Sequence, residues 1–294
     1  MIPSLPRPTW LRAAPWLYAT AFFAFLFLPL VVVAVFAFNN APYPAPPWRG
    51  FTLDWFIGSR QRTGLFGDAA LLHSLWTSTL VAGWVTALSV AVGTVNAFLI
   101  ERVDFRGKTT LSLLMLAPLV IPGVILGISI LAFASRIAQF ADDTFGWELD
   151  FLRPGLPLVV LGQFSYIVAI ATLTISARLK RFDITLEEAA YNLGATRAAV
   201  LRTVTLPYLR PAMIGAAVIS FLMSFENFNT TLMLVGSDPP LTVLMYGRMR
   251  EGASPVLNAV SLLLMVASAC LALLVVRAGE QSDTSAAPAT PAAP

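Results

Sequence analysis

Residues 177–212 read ARLKRFDITLEEAAYNLGATRAAVLRTVTLPYLRPA, a basic, patterned interlude between two apolar blocks. Thr185-Leu-Glu-Glu188 has the spacing of a capping box, with the Thr185 hydroxyl on the first turn and the Glu188 carboxylate reaching back. Leu186, Ala189, Ala190 and Leu193 follow at helical spacing, and Gly194 supplies the permissive backbone of a sharp reversal. A second short helix through Ala198, Leu201 and Arg202 is expected to end at Leu206-Pro207. Pro211 falls in the first turn of the next apolar block, where proline is tolerated. The pattern therefore predicts a helix–glycine–helix elbow over 183–203. An amphipathic loop lying on a membrane surface fits the same residues.

The flanking blocks set the fold class. The chain is 57% hydrophobic and 12% charged with a mean hydropathy of +0.75, whereas soluble domains carry about 25% charged residues. Its apolar runs reach the roughly 20 residues that a helix needs to cross a hydrocarbon core. Six such spans are expected: Trp16–Phe38, Leu75–Ile100, Leu111–Phe133, Leu156–Ala177, Ala212–Val235 and Val256–Val276. The first is too long for a signal-peptide core and runs into Asn39-Asn40-Ala41-Pro42 with no small-residue cleavage site, so a retained helix is expected. This divides the chain into an N-terminus (1–15), a first span (16–38), an outer loop (39–70), a five-helix core (71–277) and an Ala/Pro/Ser/Thr-rich tail (278–294) expected to be disordered. With the N-terminus inside, twelve Lys and Arg fall in cytoplasmic segments and seven in outer loops, an asymmetry that predicts both termini in the cytoplasm.

The elbow also carries a family resemblance. Glu188-Ala189-Ala190, Gly194-Ala195, Val204, Leu206-Pro207 and Pro211 resemble the EAA motif of binding-protein-dependent ABC importer permeases. The resemblance implies an all-α type I permease fold of six transmembrane helices, with the EAA loop (183–211) forming cytoplasmic coupling helices. It gives Glu188, Ala189, Ala190, Gly194, Ala195, Leu206 and Pro207 the coupling role, in a groove of a separate ATPase. The implied partners are two ATPase subunits, a second homologous permease, an extracytoplasmic solute-binding protein and membrane lipid, in a bacterial inner membrane. Asp104–Lys108, Ala177–Asp183 and Gly252–Ala259 look like corresponding stretches of spermidine/putrescine-type permeases, closer to their C-type component. A polyamine is the leading substrate expectation. Other small nitrogenous or phosphonate solutes are alternatives, because C-type relatives tend to place two acids where this chain has Glu226-Asn227.

Energy must come from outside the chain. Gly107-Lys108-Thr109 mimics the end of a phosphate-binding loop, but Arg102 occupies the position of its first glycine. A basic loop end is the better reading, and no nucleic-acid partner is needed to explain it. Neither a cofactor nor a metal site is expected: the single His73 suits a helix start and the single Cys270 suits a small apolar residue. An intramembrane enzyme would need a nucleophile with its base, which is not evident. A secondary transporter would show weak internal symmetry, which is also not evident. Glu226 is the one acid within an apolar span, and with Asn227, Asn229, Thr230 and Thr231 it marks a polar patch. Glu226, Asn227 and Asn229 either line the solute path, hydrogen-bond to a partner permease or sit at the outer membrane edge. Trp76, Trp84, Phe164, Tyr166, Phe225 and Phe228 either line the route or pack.

Overall fold

The computed structural model describes residues 9–252 and 254–284, and the side chains of 14–252 and 254–273. The described residues form twelve α-helices: α1 Thr9–Phe36, α2 Asp54–Ile57, α3 Ala69–Arg102, α4 Lys108–Val120, α5 Gly123–Phe145, α6 Leu156–Leu179, α7 Thr185–Asn192, α8 Arg197–Val200, α9 Leu206–Phe225, α10 Asn229–Leu234, α11 Leu241–Glu251 and α12 Pro255–Thr284. Among them, six stretches are long and apolar enough to cross a membrane: Ala14–Phe36, Ala69–Arg102, Gly123–Phe145, Leu156–Leu179, Arg197–Phe225 and Pro255–Leu273.

Four boundaries differ from the sequence expectation, each for a backbone reason. The expected third span, Leu111–Phe133, is two helices. Pro122 cannot donate to the ladder and pushes Ile121 to an extended conformation (φ −76°, ψ 130°), so α4 stops and α5 restarts as the long helix. The expected fifth span, Ala212–Val235, also breaks: α9 ends at Phe225 and α10 begins at Asn229. Leu206-Pro207 does not end the second elbow helix. Residues Leu201–Thr205 widen into a π-turn, in which the Leu206 N–H bonds to the Leu201 carbonyl. That widened turn makes room for the Pro207 ring, and the chain runs helically from Arg197 to Phe225. Finally, α12 continues to Thr284, because Glu280 and Gln281 are good helix formers and no proline follows until Pro288. Residues 285–294 of the expected disordered tail lie outside the described residues.

The contact pattern divides the chain into two units. The first, through Ala69 together with Arg248–Ala267, contains the expected outer loop, which is folded. Asn39, 1% exposed, accepts from the Arg49 N–H at 2.8 Å, and its carbonyl accepts from the Trp55 indole at 2.8 Å. Phe38 stacks on both Phe51 and Phe56. Arg248 forks onto both oxygens of Asp68, at 2.5 and 3.0 Å, a bidentate geometry that holds the guanidinium in its charged form.

The second unit, Ala70–Gly247 with the chain from Ser268 onward, holds the elbow. Within it α6 packs against α9, and α10 is wedged against α5 and α6. Gly127 permits that wedge, since a Cβ there would meet the Met233 side chain at 2.9 Å. One buried cluster gathers Val81, Val85, Leu158, Val159, Ile167 and Leu234; a second gathers Ala97, Ala171, Ile175, Leu179, Phe182 and Leu209 beside the elbow.

Candidate functional sites: the elbow and the break in the fifth span

The elbow forms as a helix, a left-handed glycine and a helix, but its caps differ from the expected ones. Thr185 is not the cap and Glu188 does not reach back. The Asp183 carboxylate accepts from both the Thr185 N–H (3.0 Å) and the Thr185 hydroxyl (2.8 Å). Those two bonds hold the Asp183 carboxyl below its ordinary value. α7 ends two residues before Gly194 (φ +86°), whose N–H bonds to the Tyr191 carbonyl, while the Ala195 N–H reaches the Ala190 carbonyl. The second helix is capped by the Thr196 hydroxyl, which accepts from the Ala199 N–H at 3.3 Å.

The apolar face of α7 points away from the chain. Leu186 is 52% exposed and Leu193 89% exposed, with Ile184 and Tyr191 also open. Ala189 and Gly194 are exposed, and Ala190 and Ala195 half-buried. The two adjacent glutamates divide sharply, since consecutive helical positions point about 100° apart. Glu188 is exposed, and its carboxylate makes no hydrogen bond or ion pair among the described residues. The carboxylate of Glu187 turns inward, accepting from the Arg102 guanidinium at 3.2 Å and the buried Thr205 hydroxyl at 2.7 Å.

Behind α7 the base is layered. The Arg102 guanidinium lies over the Phe182 ring at 5.4 Å, Phe182 meets Tyr208 edge-on at 5.0 Å, and Arg178 lies over Tyr208 at 4.6 Å. Arg178 also donates to the Tyr208 carbonyl at 2.8 Å, tying the end of α6 to the start of α9. Leu206 is half-buried in this region, whereas Pro207 is exposed. Arg102, Phe182, Glu187 and Thr205 were not legible as a group. The Arg102–Glu187 pair spans 85 residues of sequence and leaves no local pattern.

In the fifth span, Glu226 sits at the break between α9 and α10, exposed, with its backbone N–H still bonded to Leu222. Its carboxylate makes no bond among the described residues. Asn229 is exposed as well, whereas Asn227 is half-buried and used within the chain. Its amide donates to the Tyr166 hydroxyl at 2.6 Å, and its oxygen accepts from the Thr231 N–H and hydroxyl at 3.2 and 2.9 Å. Thr231 in turn accepts from Gln163 at 2.8 Å, and Gln163 accepts from the Ser224 hydroxyl. A directed run of donors thus crosses the break, from Ser224 through Gln163, Thr231 and Asn227 to Tyr166. Asn227 braces the interrupted helix from inside the chain, which leaves Glu226 and Asn229 as the open polar groups. Gln163, 1% exposed, escaped the sequence reading although a lone amide in an apolar span was the available signal. Of the aromatics, Trp76 and Trp84 face outward, Tyr166 belongs to the brace, and Phe228 packs on Tyr246 at 4.8 Å.

Away from these sites, His73 lies near the start of α3, 3.6 Å from Asp238. Lys108 pairs with Asp104 at 3.1 Å across the turn at Gly107. Cys270 is exposed. The described residues hold no group of three metal-ligating side chains.

Known proteins resemble the chain over most of its length. A family model described as binding-protein-dependent transport system inner membrane component matches residues 93–284. The putrescine transport system permease protein PotI of Escherichia coli K12 is 28% identical over 245 residues, covering 83% of this chain and 82% of PotI. The spermidine/putrescine transport system permease protein PotC of the same organism is 27% identical over 252 residues, covering 85% of this chain and 88% of PotC. Among solved structures, a chain of a bacterial ABC transporter involved in the import of the acidic polysaccharide alginate superposes with a TM-score of 0.68 at 19% identity, covering 95% of this chain and 96% of that one.

Proposed function

We infer, since this chain belongs to the family of binding-protein-dependent transport system inner membrane components, that its elbow is the surface through which an ATPase drives it. The chain is a membrane permease subunit of an ABC importer, a multi-pass protein of a bacterial inner membrane and not an enzyme. Such a system pairs a permease with an ATPase and a solute-binding protein. The finer assignments follow as proposals: two ATPase subunits, a second homologous permease, and both termini on the cytoplasmic side with the elbow.

One observation carries the coupling role. The elbow turns Leu186 and Leu193 outward, together with the free carboxylate of Glu188, from a base fixed by ion pairs and ring stacking. Exposed apolar side chains gathered on a polar segment mark a protein contact. Glu188, Ala189, Ala190, Gly194 and Ala195 would form that contact, while Leu206 and Pro207 set the angle at which α9 leaves it. Closure of the ATPases would then push the elbow and tilt the spans, giving alternating access.

For the solute we propose a polyamine such as putrescine or spermidine. PotI and PotC supply the analogy, and Glu226 supplies the chemistry, a free carboxylate at a helix break able to pair with an ammonium group. Asn229 would line the same route, with Asn227 bracing it. The shared fold with an alginate importer gives no support to any one solute.

The test is purification of the whole transporter and its reconstitution in liposomes. The ATPase should co-elute, and putrescine-loaded binding protein should stimulate ATP hydrolysis. Gly194→Val places a β-branched residue at φ +86°, so hydrolysis should persist while uptake falls about tenfold or more. E226Q should lower uptake of a diamine and its stimulation of hydrolysis together. An ATPase that never co-elutes would remove the importer reading, and normal diamine uptake by E226Q would remove the substrate assignment.

A further inference from the structure

Two consecutive residues at the end of α3, Glu101 and Arg102, carry opposite charges, and both are used on the elbow. Glu101, with its side chain 13% exposed, pairs with Lys180 at 3.5 Å, just before the elbow. Arg102 pairs with Glu187 at 3.2 Å, inside α7. Glu187 further accepts from Thr205, which is 1% exposed and lies in the π-turn beyond the second helix. A single carboxylate therefore joins three segments that are distant in sequence: the end of α3, the outward-facing helix α7 and the root of α9. Its side chain is only 17% exposed, so water screens these contacts much less than it screens surface pairs. Arg102 is held from its other side by the Phe182 ring. π-turns of the kind at 201–205 occur disproportionately at functional sites in helices.

We propose that Glu187, through Arg102 and Thr205, is the positioning residue that makes α3 move with the elbow, so that force reaches a span not adjacent to the elbow in sequence. This rests on the coupling role proposed for the elbow and extends it. α6 and α9 are joined to the elbow by the peptide chain and would follow it in any case. α3 is held at this end by two ion pairs and by the packing of Ala97 and Phe98 in the apolar cluster beside the elbow, but only the Arg102–Glu187 pair reaches α7 itself. Cutting the Arg102–Glu187–Thr205 clasp leaves the outward face of α7, and hence ATPase docking, unchanged. It removes the link that carries the motion to α3. Coupling between two sites is argued from an element whose equilibrium both of them bias, and the clasp joins α3 to the helix that the ATPase would push.

The reconstituted transporter tests this directly. In E187Q the amide still accepts from Thr205 but loses its charge toward Arg102. ATP hydrolysis should stay within about twofold of the parent, while solute imported per ATP falls about tenfold. R102E should behave the same way, and the double variant R102E/E187R should recover import per ATP to within about threefold of the parent. Rescue by the exchange of charges shows that the pair itself acts, and hydrolysis held near the parent rate in an assembled complex separates lost coupling from lost structure. A second measurement follows the motion itself: spin labels at Val103 and Asn192, in a Cys270→Ser background, should keep one narrow distance through the ATP cycle in the parent and show two in E187Q. Normal import per ATP by E187Q, failure of the charge exchange in an assembled complex, or an unchanged distance distribution in E187Q would each overturn the clasp. None of these bears on ATPase co-elution, whose absence would instead sink the coupling role itself.

Discussion

Gln163 is the residue whose loss should be felt most widely for its size. Its two ends join α6 to Ser224 on α9 and to Thr231 on α10, and these are the two helices that the break at Glu226 separates. Lipid tails are as apolar as leucine, so helices in a membrane gain little from the hydrophobic effect between them and rely on packing and hydrogen bonds. Replacing Gln163 by Leu fills the space but strands the Ser224 hydroxyl and removes one of the two bonds of the Thr231 hydroxyl, which keeps Asn227. A stranded buried polar group costs about 1–3 kcal/mol, and measured interhelical bonds in membranes average nearer ~0.6 kcal/mol. The variant should therefore unfold several degrees earlier in detergent, read by thermal unfolding of the purified transporter, and Gln163→Glu should not rescue it, because a carboxylate accepts from Ser224 but cannot donate to the Thr231 hydroxyl. An unshifted unfolding temperature for Gln163→Leu would mean that Asn227 and Tyr166 brace the break unaided. The sequence told this story only in part. Glu226 stood out because an acid in an apolar run is conspicuous. Gln163 and the use of Asn227 stayed hidden, because an uncharged amide does not stand out as an ionisable group does and their partners on other helices lie more than sixty residues away.

At the scale of elements, composition located the spans but not their interruptions. A window of apolar residues measures solubility in lipid, whereas continuity of a helix depends on each N–H, so Pro122 and the turn at 226–228 were passed over. α11 was missed for the opposite reason: Leu241–Glu251 carries Arg248, Arg250 and Glu251 and reads as a loop. The elbow was far more legible, because Gly194 and the repeat of small and apolar residues are local signals. Its first turn was read one motif out of place, with Asp183 doing the capping. That difference has a measurable consequence. The Asp183 carboxyl is held below its ordinary value by the Thr185 hydroxyl and amide. A lowered folded value contributes stability above the unfolded value and loses it as pH falls through the folded one. Protection of the Leu186–Glu188 amides, measured against their intrinsic exchange at each pH, should thus be present at neutral pH and fall in acid. In Asp183→Asn, which keeps an acceptor that does not titrate, the acid step should vanish. In Asp183→Ala exchange should be fast at every pH. A persisting acid step in the Asn variant would assign it to another group.

For the whole molecule the decisive quantity is parity. If all six apolar stretches cross the membrane, the N-terminus and the segment between the fourth and fifth share one side, and the segment between the first and second takes the other. The basic residues are the argument for which side is which: Arg102, Arg106, Lys108, Arg178, Lys180, Arg181, Arg197, Arg202 and Arg210 all fall in the segments between the second and third and between the fourth and fifth spans, or at their ends. Short loops rich in Lys and Arg are retained in the cytoplasm, and on the orientation proposed above this would put the elbow where ATP is. Single cysteines in a Cys270→Ser background make the arrangement visible in intact cells. A cysteine at Tyr43, 70% exposed in the outer loop, should react with a membrane-impermeant maleimide added from outside. A cysteine at Leu193, 89% exposed on the elbow, should react only after the membrane is opened. In the complete transporter the Leu193 site should also be shielded by the ATPase and regain reactivity when that subunit is stripped away. Labelling of Leu193→Cys from outside would invert every span at once and leave the exposed apolar face of α7 with no nucleotide-driven partner to meet.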